Sequence, residues 1–128
     1  MEAKLIEREK HSRDDGFLVE LFSERYNDFE ASHSYLVTME PGSSRAGHYH
    51  RKKTEVIFPA AGKVAITLTD VENKESRSVE LDCESGRFAG VIVPPGVWHL
   101  VRNETDKPAR IVVFSDSAEL EDTHRVDG

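Results

Sequence analysis

The sequence has little that could tie the chain together covalently or hold it in a membrane. Its 128 residues include a single cysteine, Cys83, so an intramolecular disulfide is excluded. No run approaches the ~18 consecutive apolar residues that a membrane span needs. The first residues, MEAKLIEREKHSRDDG, are charged throughout and contain no apolar signal-peptide core. We therefore expect a cytoplasmic protein that folds without disulfides.

The chain also lacks a basic excess. It carries 17 Lys and Arg against 24 Asp and Glu, a net charge of −7. Because non-specific nucleic-acid binding needs a basic surface, we expect no nucleic-acid partner. A hydrophobic content of 38% and a charged content of 32% are typical of one globular domain with a single core. The polar C-terminal stretch SDSAELEDTHRVDG is expected to fray.

Helical periodicity is scarce, whereas alternation of apolar and polar residues recurs along the chain. In residues 63–70, for example, Val64, Ile66 and Leu68 fall on one face, and Thr67 and Thr69 fall on the other. Similar segments cover residues 34–39, 55–61, 76–83, 88–93, 97–103 and 109–116. Short strands separated by Gly, Pro, Asn and Asp indicate an antiparallel sandwich or barrel. The predicted fold class is all-β.

The stretch GHYHRKKTE contains two histidines and a glutamate that could bind a metal. His48 and His50 share one face if the segment is a strand. Simple alternation puts Glu55 on the opposite face, so it joins them only if residues 51–54 form a turn or bulge. His99, three residues after Gly96, is the fourth candidate because a Pro-Pro-Gly turn sets where the next strand starts. Zinc, iron, nickel and manganese all bind such imidazole and carboxylate sets.

Each of these residues also has a simpler interpretation. A histidine alone on a strand is usually a surface or core residue, and Glu55 alone is usually a solvated acid. Trp98 and Tyr35 are more often core or rim aromatics than substrate platforms. His33 shares strand parity with Tyr35, so both could point into a barrel. The metal interpretation gains weight because four ligand candidates occur together with glycines and prolines.

Two spaced patterns resemble the two motifs of the cupin superfamily. The first is Gly42-x5-His48-x-His50-x4-Glu55-x6-Gly62, and the second is Pro94-x-Gly96-x2-His99-x3-Asn103. The glycine that usually opens the second motif is missing, because Phe88 stands in its place. The resemblance implies a single-domain jelly roll, or double-stranded β-helix, with its core at about residues 14–115 and an acidic tail at 116–128. It also implies a divalent metal (Zn, Fe, Mn or Ni) on His48, His50, Glu55 and His99.

The segment SRDDGFLVELF is similar to the opening of cupins that act on nucleotide-linked keto sugars. These are the dTDP-4-dehydrorhamnose 3,5-epimerase-like (RmlC-like) and ketoisomerase families. GHYHRKKTE is also similar to the cupin domain of capsular-polysaccharide epimerases. The resemblance implies an isomerase or epimerase of carbohydrate metabolism, a nucleotide-sugar substrate and a homodimer. The rhamnose-type epimerases use a tyrosine acid near the second motif, but no tyrosine follows Tyr49 here, so that role cannot be transferred.

The chemistry that this resemblance implies is proton abstraction beside a metal-polarised ketone, with His50 or Glu55 as the base. Five further residues are predicted to contact the substrate: His33, Tyr35, Arg45, Lys53 and Trp98. Two alternatives remain open, an iron-dependent dioxygenase and a non-catalytic module that binds a sugar or another effector. Solvent deuterium exchange, oxygen consumption and a ligand-induced shift of the melting temperature distinguish the three.

Overall fold

The chain folds into strands throughout the part that the structure describes. This structure is a computed structural model and describes residues 2–23, 26, 29–118 and 122–125. Within these residues there are eleven strands and no helix, so none that could cross a membrane. The strands are β1 (Lys4–Arg8), β2 (Lys10–Arg13), β3 (Gly16–Val19), β4 (His33–Met39), β5 (Ser44–His48), β6 (Glu55–Ala61), β7 (Lys63–Asp70), β8 (Ser76–Asp82), β9 (Phe88–Val93), β10 (Val97–Arg102) and β11 (Ala109–Ser115). The all-β prediction is confirmed.

Two antiparallel sheets enclose the core. One has five strands in the order β1-β9-β6-β11-β4, and the other has four in the order β5-β10-β7-β8. A separate hairpin joins β2 to β3. From β4 to β7, and again from β9 to β11, successive strands alternate between the two sheets. This winding is that of the jelly-roll barrel predicted from the cupin resemblance.

Side-chain alternation explains which residues reach the barrel interior. On β7 the predicted inward residues Val64, Ile66 and Leu68 are buried. Strand β6 is buried on both faces, because Val56 and Phe58 contact a second apolar cluster outside the barrel. Glu55, Ile57 and Pro59 alternate with these two residues along the strand and therefore point inward.

The N-terminal strand β1 extends the five-stranded sheet by pairing with β9, before the predicted core boundary at residue 14. Its sequence, KLIER, does not indicate a core strand because three of its five residues are charged. Ile6 and Arg8 are buried nevertheless. The Arg8 guanidinium lies 4.1 Å from the Tyr26 ring centroid and donates to the Leu21 carbonyl at 2.8 Å. Cation–π and hydrogen-bond contacts of this kind offset the cost of burying the charge.

The C-terminal segment is ordered at the residues that the structure describes. Of the predicted acidic tail, residues 119–121 and 126–128 lie outside the described residues. Asp122 is buried, with 4% of its surface exposed. The backbones of Tyr49 and His124 exchange two hydrogen bonds of 2.9 Å. The expectation of fraying is wrong for residues 122–125, because Asp122 finds hydrogen-bond donors on another loop.

Candidate metal centre

A β-bulge directs His48 toward the interior. On β10, His99 pairs with His48 and the next residue, Leu100, pairs with Ala46, so Gly47 is an extra residue in β5. Ala46 and Gly47 have φ angles of 71° and 77°, in the left-handed region that residues other than glycine rarely adopt. Bulges locally rotate a strand and re-aim its side chains. The His48 and His99 ring centroids lie 4.9 Å apart as a result.

A turn brings Glu55 to the same side as His50. Residues 51–54 form no strand and Glu55 begins β6, as the sequence predicted. The second motif is tied to this turn because the Gly96 amide donates to the His50 carbonyl at 2.7 Å. Gly96 has a φ of 82°, which favours glycine at the end of the Pro-Pro-Gly turn. This bond sets β10, and therefore His99, beside the first motif.

The four predicted ligands converge. One donor atom from each of His48, His50, Glu55 and His99 lies within 4.8 Å of the other three. Glu55 Oε1 is 3.0 Å from His50 Nε2 and 3.3 Å from His99 Nε2. Glu55, His50 and His99 are 2%, 4% and 1% exposed, and His48 is half-buried. The group is therefore largely shielded from water.

Backbone carbonyls fix the other nitrogen of two imidazoles. His50 Nδ1 is 2.7 Å from the Asp122 carbonyl oxygen, and His99 Nδ1 is 3.2 Å from the Val97 carbonyl oxygen. Because a carbonyl oxygen only accepts, each Nδ1 carries a proton, and Nε2 of the neutral ring presents a lone pair. Two such lone pairs and Glu55 Oε1 then face each other, which is unfavourable unless a proton or a cation lies between them. Three imidazoles and one carboxylate fit a divalent transition metal.

Hydrogen bonds and burial set the charge state of the group. Burial, followed by the charges of His99 and His50, lowers the pKa of His48 to about 4, so His48 is neutral at pH 7, as ligation requires. Burial alone would raise the pKa of Glu55, but the contacts of its carboxylate with His50 and His99 hold this pKa well below its usual value. Burial and the nearby Glu55 charge raise the pKa of Tyr35. Tyr35 therefore keeps its proton and donates to Glu55 Oε2 at 3.1 Å.

Three of the four donor residues, His48, Glu55 and His99, line a cavity of about 180 Å³. Its polar lining residues are Tyr35, Arg45, His48, Glu55 and His99, and its apolar walls are Ala46, Val37, Ile57, Val101, Ile111 and Val113. The cavity thus combines a few polar groups with mostly apolar walls. This distribution is typical of small-molecule sites, where a few polar groups orient the ligand.

The five predicted substrate contacts divide into two groups. Tyr35 and Arg45 line the cavity, and His33 lies next to Tyr35 with ring centroids 5.8 Å apart. Lys53 and Trp98 do not line it. Lys53 is buried in the turn before Glu55. Trp98 follows the opposite face of β10 from His99, because neighbouring strand residues alternate, and it lines a separate surface depression.

Asp122 is the residue near the site that the sequence analysis missed. Its carboxylate accepts the backbone amides of Arg51, Lys52 and Lys53 at 2.9, 2.8 and 3.0 Å. Burial alone would raise the pKa of Asp122, but these bonds lower it to about 2. No local pattern could have indicated this role, since the residue lies in a polar segment far along the chain from His50.

This topology defines a jelly-roll β-barrel that carries a cluster of three histidines and one glutamate, and comparison with known sequences identifies its family. The sequence profile of the cupin domain family matches residues 35–115. The chain therefore belongs to the cupin family, which confirms the prediction. The chain is 30% identical over 116 residues to the spore coat polysaccharide biosynthesis protein SpsL of Bacillus subtilis, covering 83% of this chain and 73% of that protein.

Solved structures share the fold. One is QdtA, a sugar 3,4-ketoisomerase from Thermoanaerobacterium thermosaccharolyticum in complex with TDP, at 23% identity and a TM-score of 0.80, covering 97% of this chain and 88% of that one. Another is a dTDP sugar isomerase from Desulfovibrio desulfuricans G20, at 19% identity and a TM-score of 0.88, covering 98% and 84%. At these identities the likeness establishes the fold.

Proposed function

We propose that this protein is a metal-binding cupin that isomerises or epimerises a keto sugar carried on a nucleotide. The observation that carries the proposal is the convergence of three imidazoles and one carboxylate beside a cavity that three of these four residues line. The names of similar proteins support the substrate class, since they include a sugar 3,4-ketoisomerase, a dTDP sugar isomerase and a polysaccharide biosynthesis protein. Metal binding itself is part of the proposal.

The size of the cavity favours a sugar as the part that enters. Its volume of about 180 Å³ is below the ~300–1,000 Å³ of most ligand pockets. A nucleotide sugar would therefore place its sugar ring in the cavity and its diphosphate outside. Arg45 is exposed and lines the same cavity, so its guanidinium is positioned to pair with phosphate oxygens at the mouth. With the sugar ring in the cavity, a ring carbon would be the atom that reacts there.

The residues of the chain divide the chemistry between them. His48, His50, Glu55 and His99 would hold a divalent cation, which supplies positive charge to polarise a ketone oxygen and stabilise the charge that develops on it. His50 is a poor base because both of its ring nitrogens are engaged. The remaining predicted base is Glu55, whose low pKa keeps it ionised and whose Oε2 has a second lone pair besides the one that accepts the Tyr35 hydroxyl. We therefore assign proton abstraction to Glu55 Oε2, with Tyr35 as its hydrogen-bond donor.

Solvent exchange tests this assignment directly. The protein, loaded with Zn²⁺, Fe²⁺, Mn²⁺ or Ni²⁺ in turn, is incubated with TDP-4-keto-6-deoxyglucose in D₂O, and deuterium at the carbons beside the ketone is measured by NMR. We expect incorporation with at least one metal and loss of incorporation after chelation. Glu55→Gln at saturating metal should slow exchange by about 10²–10⁴-fold, the range for loss of a general base.

Control variants separate the base from its neighbours. Tyr35→Phe removes the donor to Glu55 and should slow exchange while leaving bound metal unchanged. Thr67→Val, on the outer surface beside Ser78, should leave exchange unchanged. Absence of exchange with all four metals and with both 3- and 4-keto sugar nucleotides would overturn the proposed activity. Oxygen consumption that requires iron would favour the dioxygenase, and a melting shift without turnover would favour a binding module.

We further propose that the protein is a cytoplasmic homodimer. Strands β1 and β4 are the edges of the five-stranded sheet. Leu5 and Leu36 on these strands are 48% and 60% exposed, so an apolar surface is present at both edges. Edge strands with exposed apolar residues are natural sites for pairing with another chain. Sedimentation equilibrium should give twice the chain mass of 14.4 kDa, and a monomer at micromolar concentration would contradict this part.

A further inference from the structure

We propose that Asp122 is a positioning residue that orients the candidate metal ligand His50 from the C-terminal end of the chain. Its carboxylate fixes the turn after His50, and its backbone carbonyl fixes the His50 ring. The link to metal binding rests on the proposed function, whereas the orientation of His50 can be measured without a metal.

The Asp122 carboxylate organises the backbone that links His50 to Glu55. Oδ1 accepts the Arg51 amide, and Oδ2 accepts the amides of Lys52 and Lys53, at distances of 2.8 to 3.0 Å. Three successive amides that converge on one anion form a concave binding site for negative charge. Because Asp122 is only 4% exposed, water is poorly placed to replace it. The turn therefore depends on this carboxylate.

The Asp122 carbonyl acts on the ring itself. His50 Nδ1 donates to it at 2.7 Å, the shortest contact of the His50 ring, while His50 Nε2 faces Glu55 at 3.0 Å. A hydrogen bond of this kind selects the tautomer with the proton on Nδ1 and leaves Nε2 free to bind a metal. One residue therefore fixes both the backbone after His50 and the direction of its lone pair.

The residues after Asp122 extend the same support to the other side of His50. His124 and Tyr49 exchange two backbone hydrogen bonds of 2.9 Å, and their rings lie 5.4 Å apart. Arg125 Nη1 lies 3.5 and 3.4 Å from the carbonyl oxygens of Ala46 and Gly47, the bulge residues that aim His48. Residues 122–125 thus run alongside the whole His-x-His segment.

Asp116 offers a matched control at the other end of the same turn. Its carboxylate accepts the Thr54 amide at 3.0 Å, and its own amide donates to the Thr54 carbonyl at 3.3 Å. The two aspartates therefore both hold the turn between His50 and Glu55. Only residue 122 also bonds the His50 imidazole, through its backbone carbonyl. A change in His50 that occurs in the Asp122 variants and not in the Asp116 variant therefore reports on the orientation of His50.

Two measurements on Asp122→Ala, Asp122→Asn and Asp116→Ala test the proposal. Long-range ¹H–¹⁵N spectra of the metal-free protein report which nitrogen of His50 carries the proton. Competition with a chelator gives the dissociation constant for Zn²⁺. Asp122→Ala keeps the backbone carbonyl but removes the carboxylate that anchors residue 122 to the turn, so the carbonyl is no longer held against the His50 ring. We expect His50 Nδ1 to carry a proton throughout in the wild type and only in part of the molecules of Asp122→Ala. We also expect Zn²⁺ affinity to fall about 10–100-fold in Asp122→Ala, as for other outer contacts of metal ligands.

Asp116→Ala should retain the wild-type tautomer and affinity even if its melting temperature falls. Asp122→Asn keeps an acceptor oxygen but loses the charge, so it should lie between the wild type and Asp122→Ala. If Asp122→Ala lacks the near-ultraviolet circular dichroism of a folded protein, Asp122→Asn is compared with the wild type and Asp116→Ala in its place. An unchanged His50 tautomer and Zn²⁺ affinity in the folded Asp122 variant would overturn the proposal.

Equal losses in the Asp122 and Asp116 variants would overturn it too, because they would reduce Asp122 to a turn-stabilising residue. Failure of the wild type to bind Zn²⁺, with a tautomer that still depends on Asp122, would contradict the proposed metal site and leave the positioning role standing. The two proposals can therefore fail separately.

Discussion

The charge of Glu55 is the feature on which the candidate metal centre depends most, and Glu55→Gln removes it with little change in shape. In the structure, Oε1 faces Nε2 of both His50 and His99, and Oε2 accepts the Tyr35 hydroxyl. A glutamine can keep the bond from Tyr35 through its oxygen. Its NH₂ group can donate to one of the imidazole lone pairs. We therefore expect the metal-free variant to fold normally.

The expected loss of metal affinity can be bounded from the contacts. Changes to groups that only orient a ligand cost about 10–100-fold in affinity. In the proposed site Glu55 would supply a negative ligand atom, so its loss should lower the metal affinity about 100-fold or more. At about 1.4 kcal/mol per tenfold, this is at least about 2.8 kcal/mol of binding free energy. Glu55→Gln should also change proton release, because in the wild type a metal must displace the protons that lie between Glu55 and the imidazoles.

Titration calorimetry with Zn²⁺ in two buffers of different ionisation enthalpy measures both quantities at once. We expect the wild type to release about one proton more than Glu55→Gln on binding. His50→Ala provides a reference, since it should lose stoichiometric metal while retaining the circular dichroism of a β-sheet protein. If Glu55→Gln bound Zn²⁺ with wild-type affinity and wild-type proton release, Glu55 could not be a ligand.

Three other outcomes follow from the structure. Metal-free wild type should lose stability as the pH falls from 6.5 to about 4, because His48 takes up a proton only when the chain unfolds, and His48→Gln should flatten this slope in urea titrations. Gly90→Ala should lower the free energy of unfolding by about 1–3 kcal/mol, since a Cβ there would lie 2.5 Å from the Phe58 ring. Gly86→Ala, where a Cβ would meet open space, should lower it little, and equal losses in the two variants would contradict this. Asn103→Ala removes four hydrogen bonds of a buried side-chain amide and should lower the free energy of unfolding by about 2–3 kcal/mol. It should leave the Zn²⁺ affinity unchanged, and a lower Zn²⁺ affinity would mean that Asn103 belongs to the metal centre.

The sequence could predict the strands and the candidate ligands because residues close in the chain determine both. Alternation sets which residues of β7 face inward, and it needs no knowledge of distant contacts. The turn before Glu55 and the Pro-Pro-Gly turn before His99 are likewise set by nearby residues. Because the turns and strands fix the backbone at each ligand, the ligand set could be predicted as a whole.

The features that the sequence did not predict depend on contacts between distant segments. Strand β1 looks like a charged surface segment, and its burial depends on its pairing with β9 and on the aromatic rings and the Leu21 carbonyl that surround Arg8. Trp98, which was predicted to contact substrate, follows the opposite face of β10 from His99, because neighbouring strand residues alternate, and it does not line the cavity. No sequence pattern indicates the role of Asp122, because its carboxylate bonds backbone amides, which almost any residue can supply.

Glu55 connects these two levels of organisation. One of its oxygens faces the imidazoles that local turns and strands deliver, and the other accepts a proton donor, Tyr35, from the edge strand β4. Metal affinity and proton abstraction therefore share a single carboxylate in the proposed mechanism. The direction of that carboxylate depends on the turn that Asp122 holds from the far end of the chain. A ligand set that short motifs specify thus needs the complete fold before it can be reactive.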